Sequence, residues 1–228
     1  MERPSWTWRE LWDAVARGGD PFDQMGRGGW TLPLFLTLIA ELTEQAEVGP
    51  ETELLDAGGG AGWVACAFSP FVQAVAVVDN APAMVARAAG AARSGSFPNM
   101  SVYQDDVCSL ARLGGRTFTS ALCVGVLQYL EEDAQLDAAI AALYRSLAPD
   151  GVALFGHNPD LHRRAAWEES LKEGWNELRR AQEERRRWFA PGELEARLQA
   201  AGFRDIERLP IHPMLPGAAF MSSLRARR

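Results

Sequence analysis

The sequence predicts an α/β fold with a largely parallel, doubly wound sheet, and three observations carry that expectation. Short β-branched runs alternate with alanine-rich helical stretches over residues 52–157. A glycine-rich turn, Gly58-Gly59-Gly60-Ala61-Gly62, follows the first run, and acidic residues stand at the ends of the first three. Strands buried on both faces and joined by crossover helices read this way. Ligands of such sheets bind beyond the carboxyl ends of the strands, at the switch point.

The elements follow in order. Residues 1–50 form a helical N-terminal cap, with Trp6, Trp8, Leu11, Trp12 and Val15 at helical spacing, a Gly18-Gly19-Asp20-Pro21 break and a second helix over Pro33–Glu47. The core, 51–159, holds strands at Glu53–Asp56, Ala74–Asp79, Met100–Gln104, Thr117–Val124 and Gly151–His157. Helices are expected from Gly62, over Met84–Arg93 and over Glu132–Leu147, the last stopped by the turn Ala148-Pro149-Asp150-Gly151. A charged helical lid is expected over 160–187 and a C-terminal helix with strands over 188–228, all within a single domain.

Composition narrows the function. At 228 residues, 47% hydrophobic and 23% charged, the chain suits one soluble domain with a full core. A net charge of −7 leaves no cationic surplus for nucleic acid. Arg179-Arg180 and Arg185-Arg186-Arg187 are interleaved with Glu173, Glu177, Glu183 and Glu184, a solvated helix face. Cys66, Cys108 and Cys123 form no C-x-x-C pair, and His162 and His212 have no metal-ligand spacing, so neither a disulfide framework nor a metal is expected. Without a signal-peptide pattern or a membrane-length apolar run, a cytoplasmic protein follows.

The glycine turn lets backbone amides approach a ligand that any Cβ would displace, and the helix after it favours electron-rich groups. Alone, it could be a surface loop. A phosphate-binding P-loop fails because Trp63-Val64 stand where Lys-Ser/Thr is needed, and a G-x-G-x-x-G dinucleotide fingerprint from Gly58 ends on Trp63. What remains is Asp56-x-Gly58-x-Gly60-x-Gly62, whose leading carboxylate suits a cationic amino group. Asp79 can accept two hydrogen bonds from a ribose diol, and Asp105-Asp106-Val107 offers a carboxylate to an adenine amino group. Each acid alone could merely cap a helix; in this order they form a nucleoside-binding constellation.

Over residues 50–210 the chain resembles the class I S-adenosylmethionine-dependent methyltransferases. Leu54-Leu55-Asp56-Ala57-Gly58-Gly59-Gly60-Ala61-Gly62 is similar to the family's first motif, and Val77-Val78-Asp79-Asn80-Ala81-Pro82-Ala83-Met84 to its second. Asp106-Val107 resembles its adenine-contacting pair, Val126-Leu127-Gln128-Tyr129-Leu130 the segment facing the methyl group, and Leu147–Gly151 the turn into its fifth strand. Trp188–Leu194 and Ala201-Gly202-Phe203 resemble the approach to its sixth strand. The resemblance implies a seven-stranded sheet with a reversed last hairpin, and S-adenosylmethionine as cofactor. Asp79 would hold the ribose, Asn80 and Met84 would border the adenine, and Gln128 would lie beside the cofactor. Two departures stand out: Thr119 replaces an acid that usually opens the fourth strand, and Gly59 a frequent cysteine.

Arg27, in Met25-Gly26-Arg27-Gly28-Gly29, is a candidate for the methionyl carboxylate or a surface arginine. Tyr129 could present its ring to the sulfonium; His157 is a candidate general base or a structural histidine; Asn158 is a third candidate near the reacting carbon or the start of a turn. Trp167, Trp175 and Trp188 are lid packing or a water-excluding wall. The expected function is methyl transfer to a small molecule of specialised metabolism. One alternative is a cyclase that converts the cofactor to azetidine-2-carboxylic acid and methylthioadenosine. Another is a non-catalytic S-adenosylmethionine-binding protein.

Overall fold

The computed structural model describes residues 6–170 and 185–228. Three helices come first: α1 Trp8–Val15, α2 Pro21–Gln24 and α3 Leu32–Gln45. The core follows as β1 Glu53–Ala57, α4 Trp63–Phe68, β2 Ala74–Asp79, α5 Pro82–Ser94, β3 Met100–Gln104, β4 Phe118–Val124, α6 Asp133–Ser146 and β5 Leu147–Pro159. The chain ends with α7 Arg164–Ser170, α8 Glu193–Ala200, β6 Arg204–Leu209 and β7 Met221–Arg227.

The seven strands lie in the order β3-β2-β1-β4-β5-β7-β6. β1 to β5 pair in parallel, while β7 runs antiparallel to both β5 and β6. The expected seven-stranded, mostly parallel doubly wound sheet with its reversed last hairpin is therefore present. Alternation along the strands sends side chains to two cores. Leu55, Ala76, Val78, Ala121 and Phe155 pack with α6 and α8 on one face. Leu54, Val75, Val77, Leu122 and Leu154 pack with α3, α4 and Ala88 of α5 on the other. Both faces are dry, which is why the strands read as nearly continuous apolar runs. Chain order reverses between β1 and β4, opening a crevice beyond Ala57 and Val124.

The cap helices are held at their ends. Thr7 and Glu10 form a reciprocal capping box on α1, and Asp20 caps α2 with Pro21 at its first position.

Two expectations change. The turn at 148–151 does not precede β5 but is a bulge inside it. Leu147 already pairs with Phe118, Val152 with Ser120, and Asp150 takes φ +63° in between. The turn chemistry is real, but pairing continues on both sides of it. The lid opens with a 3-10 turn, Leu161–Arg163, before α7. Its centre lies outside the described residues, including Glu173, Trp175, Glu177, Arg179, Arg180, Glu183 and Glu184. Among the described residues no helix is long and apolar enough to cross a membrane.

Candidate functional site

A cavity of about 640 Å³ occupies the crevice beyond the strand ends, within the range that secludes a small ligand. Its floor is the glycine turn. Gly58 and Gly59 both donate to Val78 O (2.7 and 3.1 Å), and Gly60 donates to Asp79 Oδ2 at 2.9 Å. The other Asp79 oxygen accepts from Ala81 N, also at 2.9 Å. Asp79 therefore fastens the turn to the start of α5 while lining the cavity, with lone pairs left over for a ligand. Burial raises its pKa, and the hydrogen bonds from Ala81, Gly60 and Asn80 only partly offset that.

Asp56 lies beneath the turn. A side chain at Gly59 would place its Cβ 2.6 Å from Asp56 Oδ2, so only glycine fits above the carboxylate. That oxygen is buried without a hydrogen-bond partner. Burial first, and the neighbouring Asp79 second, push the Asp56 pKa up to about 7. A buried acid lacking a partner in a ligand cavity fits a missing cationic group. Gln128 adds a second such atom: its Nε2 donates to Gly125 O at 3.3 Å, whereas its Oε1 is buried and unpartnered.

The rest of the lining combines distant segments. Tyr129 packs against Trp8 (centroids 4.6 Å apart) and Trp12 (5.4 Å), both from α1. Arg27 stacks over Trp30 at 4.5 Å, and burial lowers its pKa to about 10, with Tyr129 and Glu41 opposing. His157 lies within β5, at its register shift against β7, in the left-handed region, φ +57°, where a non-glycine residue is strained. Its Nε2 lies 2.9 Å from Glu41 Oε1 of α3, and both side chains are buried. Burial lowers the His157 pKa, the Glu41 hydrogen bond opposes that, and Arg27 adds to it.

The cavity lining thus brings together Arg27, Asp56, Gly58, Gly60, Asp79, Asn80, Met84, Asp106, Val107, Gln128, Tyr129 and His157. Two candidates fall outside it. Gly62 caps α4 at φ +79°, and a Cβ there would meet Ala88 Cβ at 2.9 Å, so the glycine permits close packing of α4 on α5. Asn158 is buried, donates from Nδ2 to Phe155 O at 2.8 Å and sits beside Ser222 where β5 pairs with β7, away from the cavity. Of the lid tryptophans, Trp175 lies outside the described residues, and Trp167 packs edge-on against Trp188 (5.4 Å), which packs on Phe220 (6.3 Å). The aromatic wall comes instead from Trp8 and Trp12, spaced i, i+4 on α1.

Sequence reasoning missed Glu41 as well. A signal existed: Leu38, Glu41, Leu42 and Gln45 form the buried stripe of α3, so an acid there requires a partner.

Residues 54–151 match the protein family described as methyltransferase domain. No curated protein is significantly similar in sequence. Among solved structures, the fold is similar to the N-methyltransferase NodS from Bradyrhizobium japonicum WM9 in complex with S-adenosyl-L-homocysteine. That match has TM-score 0.65 and 20% identity, covering 96% of this chain and 97% of that one. An S-adenosylmethionine-dependent methyltransferase from Clostridium acetobutylicum gives TM-score 0.67 and 13% identity, covering 90% and 95%. A structure concerned with converting a disulfide bond into a thioacetal group during echinomycin biosynthesis gives TM-score 0.63 and 20% identity, covering 96% and 92%. The methyltransferase-domain match at 54–151 is thus set in a seven-stranded fold similar to those of S-adenosylmethionine-dependent methyltransferases.

Proposed function

We propose that the protein transfers a methyl group from S-adenosylmethionine to a small molecule of specialised metabolism, as one S-adenosylmethionine-binding domain. One observation carries this reading: a single cavity brings the nucleoside-type residues Asp79, Gly60 and Asp106 together with the aromatic residues Trp8, Trp12 and Tyr129. The aromatic residues give an acceptor somewhere to lie. The NodS and echinomycin likenesses support small-molecule chemistry.

In this reading Asp79 accepts the ribose hydroxyls, Asp106 with Val107 takes the adenine edge, and Asn80 and Met84 border the ring. The orphaned Asp56 Oδ2 receives the methionyl ammonium, and Arg27 pairs with the carboxylate. Bound there, the cofactor supplies a sulfonium methyl group open to in-line attack. Gln128 and Tyr129 orient that end, and the tryptophans of α1 exclude water. Positioning of this kind lowers barriers by up to about 7–11 kcal/mol.

Two measurements test it. Calorimetry with S-adenosylhomocysteine should show one site per chain, and absence of binding would overturn the cofactor assignment. Incubation with S-adenosylmethionine alone should leave it intact, because methyl transfer needs an acceptor. Many turnovers to methylthioadenosine would replace methyl transfer with cyclisation.

A further inference from the structure

Glu41 and His157 are separated by 116 positions in sequence yet share a buried contact at the acceptor end of the cavity. Three features set the pair apart from a simple structural clip. His157 takes a strained left-handed backbone, and such strain persists where the surroundings over-determine a side chain's position. Glu41 is itself fixed, since its second carboxylate oxygen accepts the backbone N–H of His212. With Nε2 engaged by Glu41, Nδ1 of His157 has no hydrogen-bond partner among the described residues, while the residue lines the cavity.

A carboxylate accepts only, so the imidazole nitrogen facing it carries the proton, and the other nitrogen presents a lone pair. The charged groups around the ring are Glu41 of α3 and Arg27 of the loop before it; burial and Arg27 lower its pKa while Glu41 opposes them, which favours the neutral form that a base requires. Trp8, Trp12 and Tyr129 line the same cavity and suit a flat aromatic partner.

Resting on the methyl-transfer reading, we propose that His157 is the general base for a phenolic acceptor and that Glu41 is the positioning residue that fixes its tautomer. The phenol oxygen bonds to the methyl carbon as the S–CH3 bond breaks and its electron pair returns to sulfur. The O–H proton passes to Nδ1, and the Glu41 carboxylate stabilises the imidazolium until solvent takes the proton.

The test uses the full chain at about pH 8 with two acceptors, 4-methylphenol, still protonated there, and 4-nitrophenol, largely ionised. His157→Asn suits the left-handed backbone and should lower kcat with 4-methylphenol about a hundredfold or more, with 4-nitrophenol little changed. Glu41→Gln should give a smaller loss with the same split. Nitrogen-resolved NMR of the chain's 3 histidines, with His157 assigned from His157→Asn, should show Nδ1 bare in the wild type. In Glu41→Gln the His157 titration midpoint should fall. Equal losses with both phenols, a protonated Nδ1, or no methylation of either phenol would overturn the proposal. Loss of S-adenosylhomocysteine binding by the wild type would instead overturn the methyl-transfer reading itself.

Discussion

The two walls of the cavity are made differently. The wall at β1, β2 and β3 consists of strand ends and backbone: Gly58 and Gly59 donate to Val78, Gly60 to Asp79, and each acid stands at or within two residues of its strand's carboxyl end. The wall at β4 and β5 consists of side chains that meet only in three dimensions, Trp8 and Trp12 with Tyr129, and Glu41 with His157. One wall depends on local geometry and tolerates few changes anywhere along it. The other depends on packing of the N-terminal helices, one of which, α1, also braces α5 beside the first wall.

The sharpest way to break this contrast is Gly62→Val. Its φ of +79° and its contact with Ala88 predict a loss of about 2–5 kcal/mol in stability, visible as a large drop in Tm. An unchanged Tm with lost S-adenosylhomocysteine binding would return Gly62 to the ligand surface.

Asp79→Ala comes next. It removes the ligand's acceptors and also strands the amides of Gly60 and Ala81, so affinity for S-adenosylhomocysteine should fall by about 1–3 kcal/mol. Calorimetry at wild-type affinity would place the nucleoside elsewhere.

Asp56 gives a pH signature. Its folded pKa of about 7 lies above the ordinary 3.8, so the folded state holds that proton more tightly. Its contribution to stability is therefore fully present at low pH and lost as pH rises from about 4 towards 7. A ligand ammonium favours the carboxylate, so binding at pH 6 should release a proton and tighten towards pH 8. Calorimetry in buffers of different ionisation enthalpy measures that release; none in the wild type, or the same release in Asp56→Asn, would detach the ammonium from Asp56.

The smallest effect is expected for Asn158→Ala. Loss of the bond to Phe155 O should cost about 1 kcal/mol of stability and leave S-adenosylhomocysteine affinity within about twofold. A larger change in affinity would bring Asn158 into the site.

This division also explains what could be read from the sequence. β2 and β3 are found at the residues expected, and Asp56, Asp79 and Asp106 line the cavity, because a strand, its turn and its acid are neighbours in the chain. Glu41, in the buried stripe of α3, signalled only the need for some partner, because that partner, His157, is 116 positions away. Trp8 and Trp12 read only as a helix face, since nothing local told which surface that face would meet. Asn158 misled for the opposite reason: next to His157 in sequence, it sits where the β5–β7 pairing shifts register and turns away from the cavity.

One contact joins the two walls. Helix α5, which follows Asp79, has no side-chain cap at its own N-terminal residue, Ala81. Asp13 of α1 reaches across and accepts from Ala83 N at 2.8 Å, while Arg87 of α5 donates back to the carbonyls of Ala16 and Gly18. Helix α1 thus lends a cap to the helix that follows Asp79 and also brings Trp8 and Trp12 to the cavity. Free-energy coupling between them is reciprocal. An acceptor that settles α1 should hold the nucleoside more tightly, and a fusion or truncation that loosens the N-terminus would present as a cofactor defect although it touches none of the cofactor's contacts.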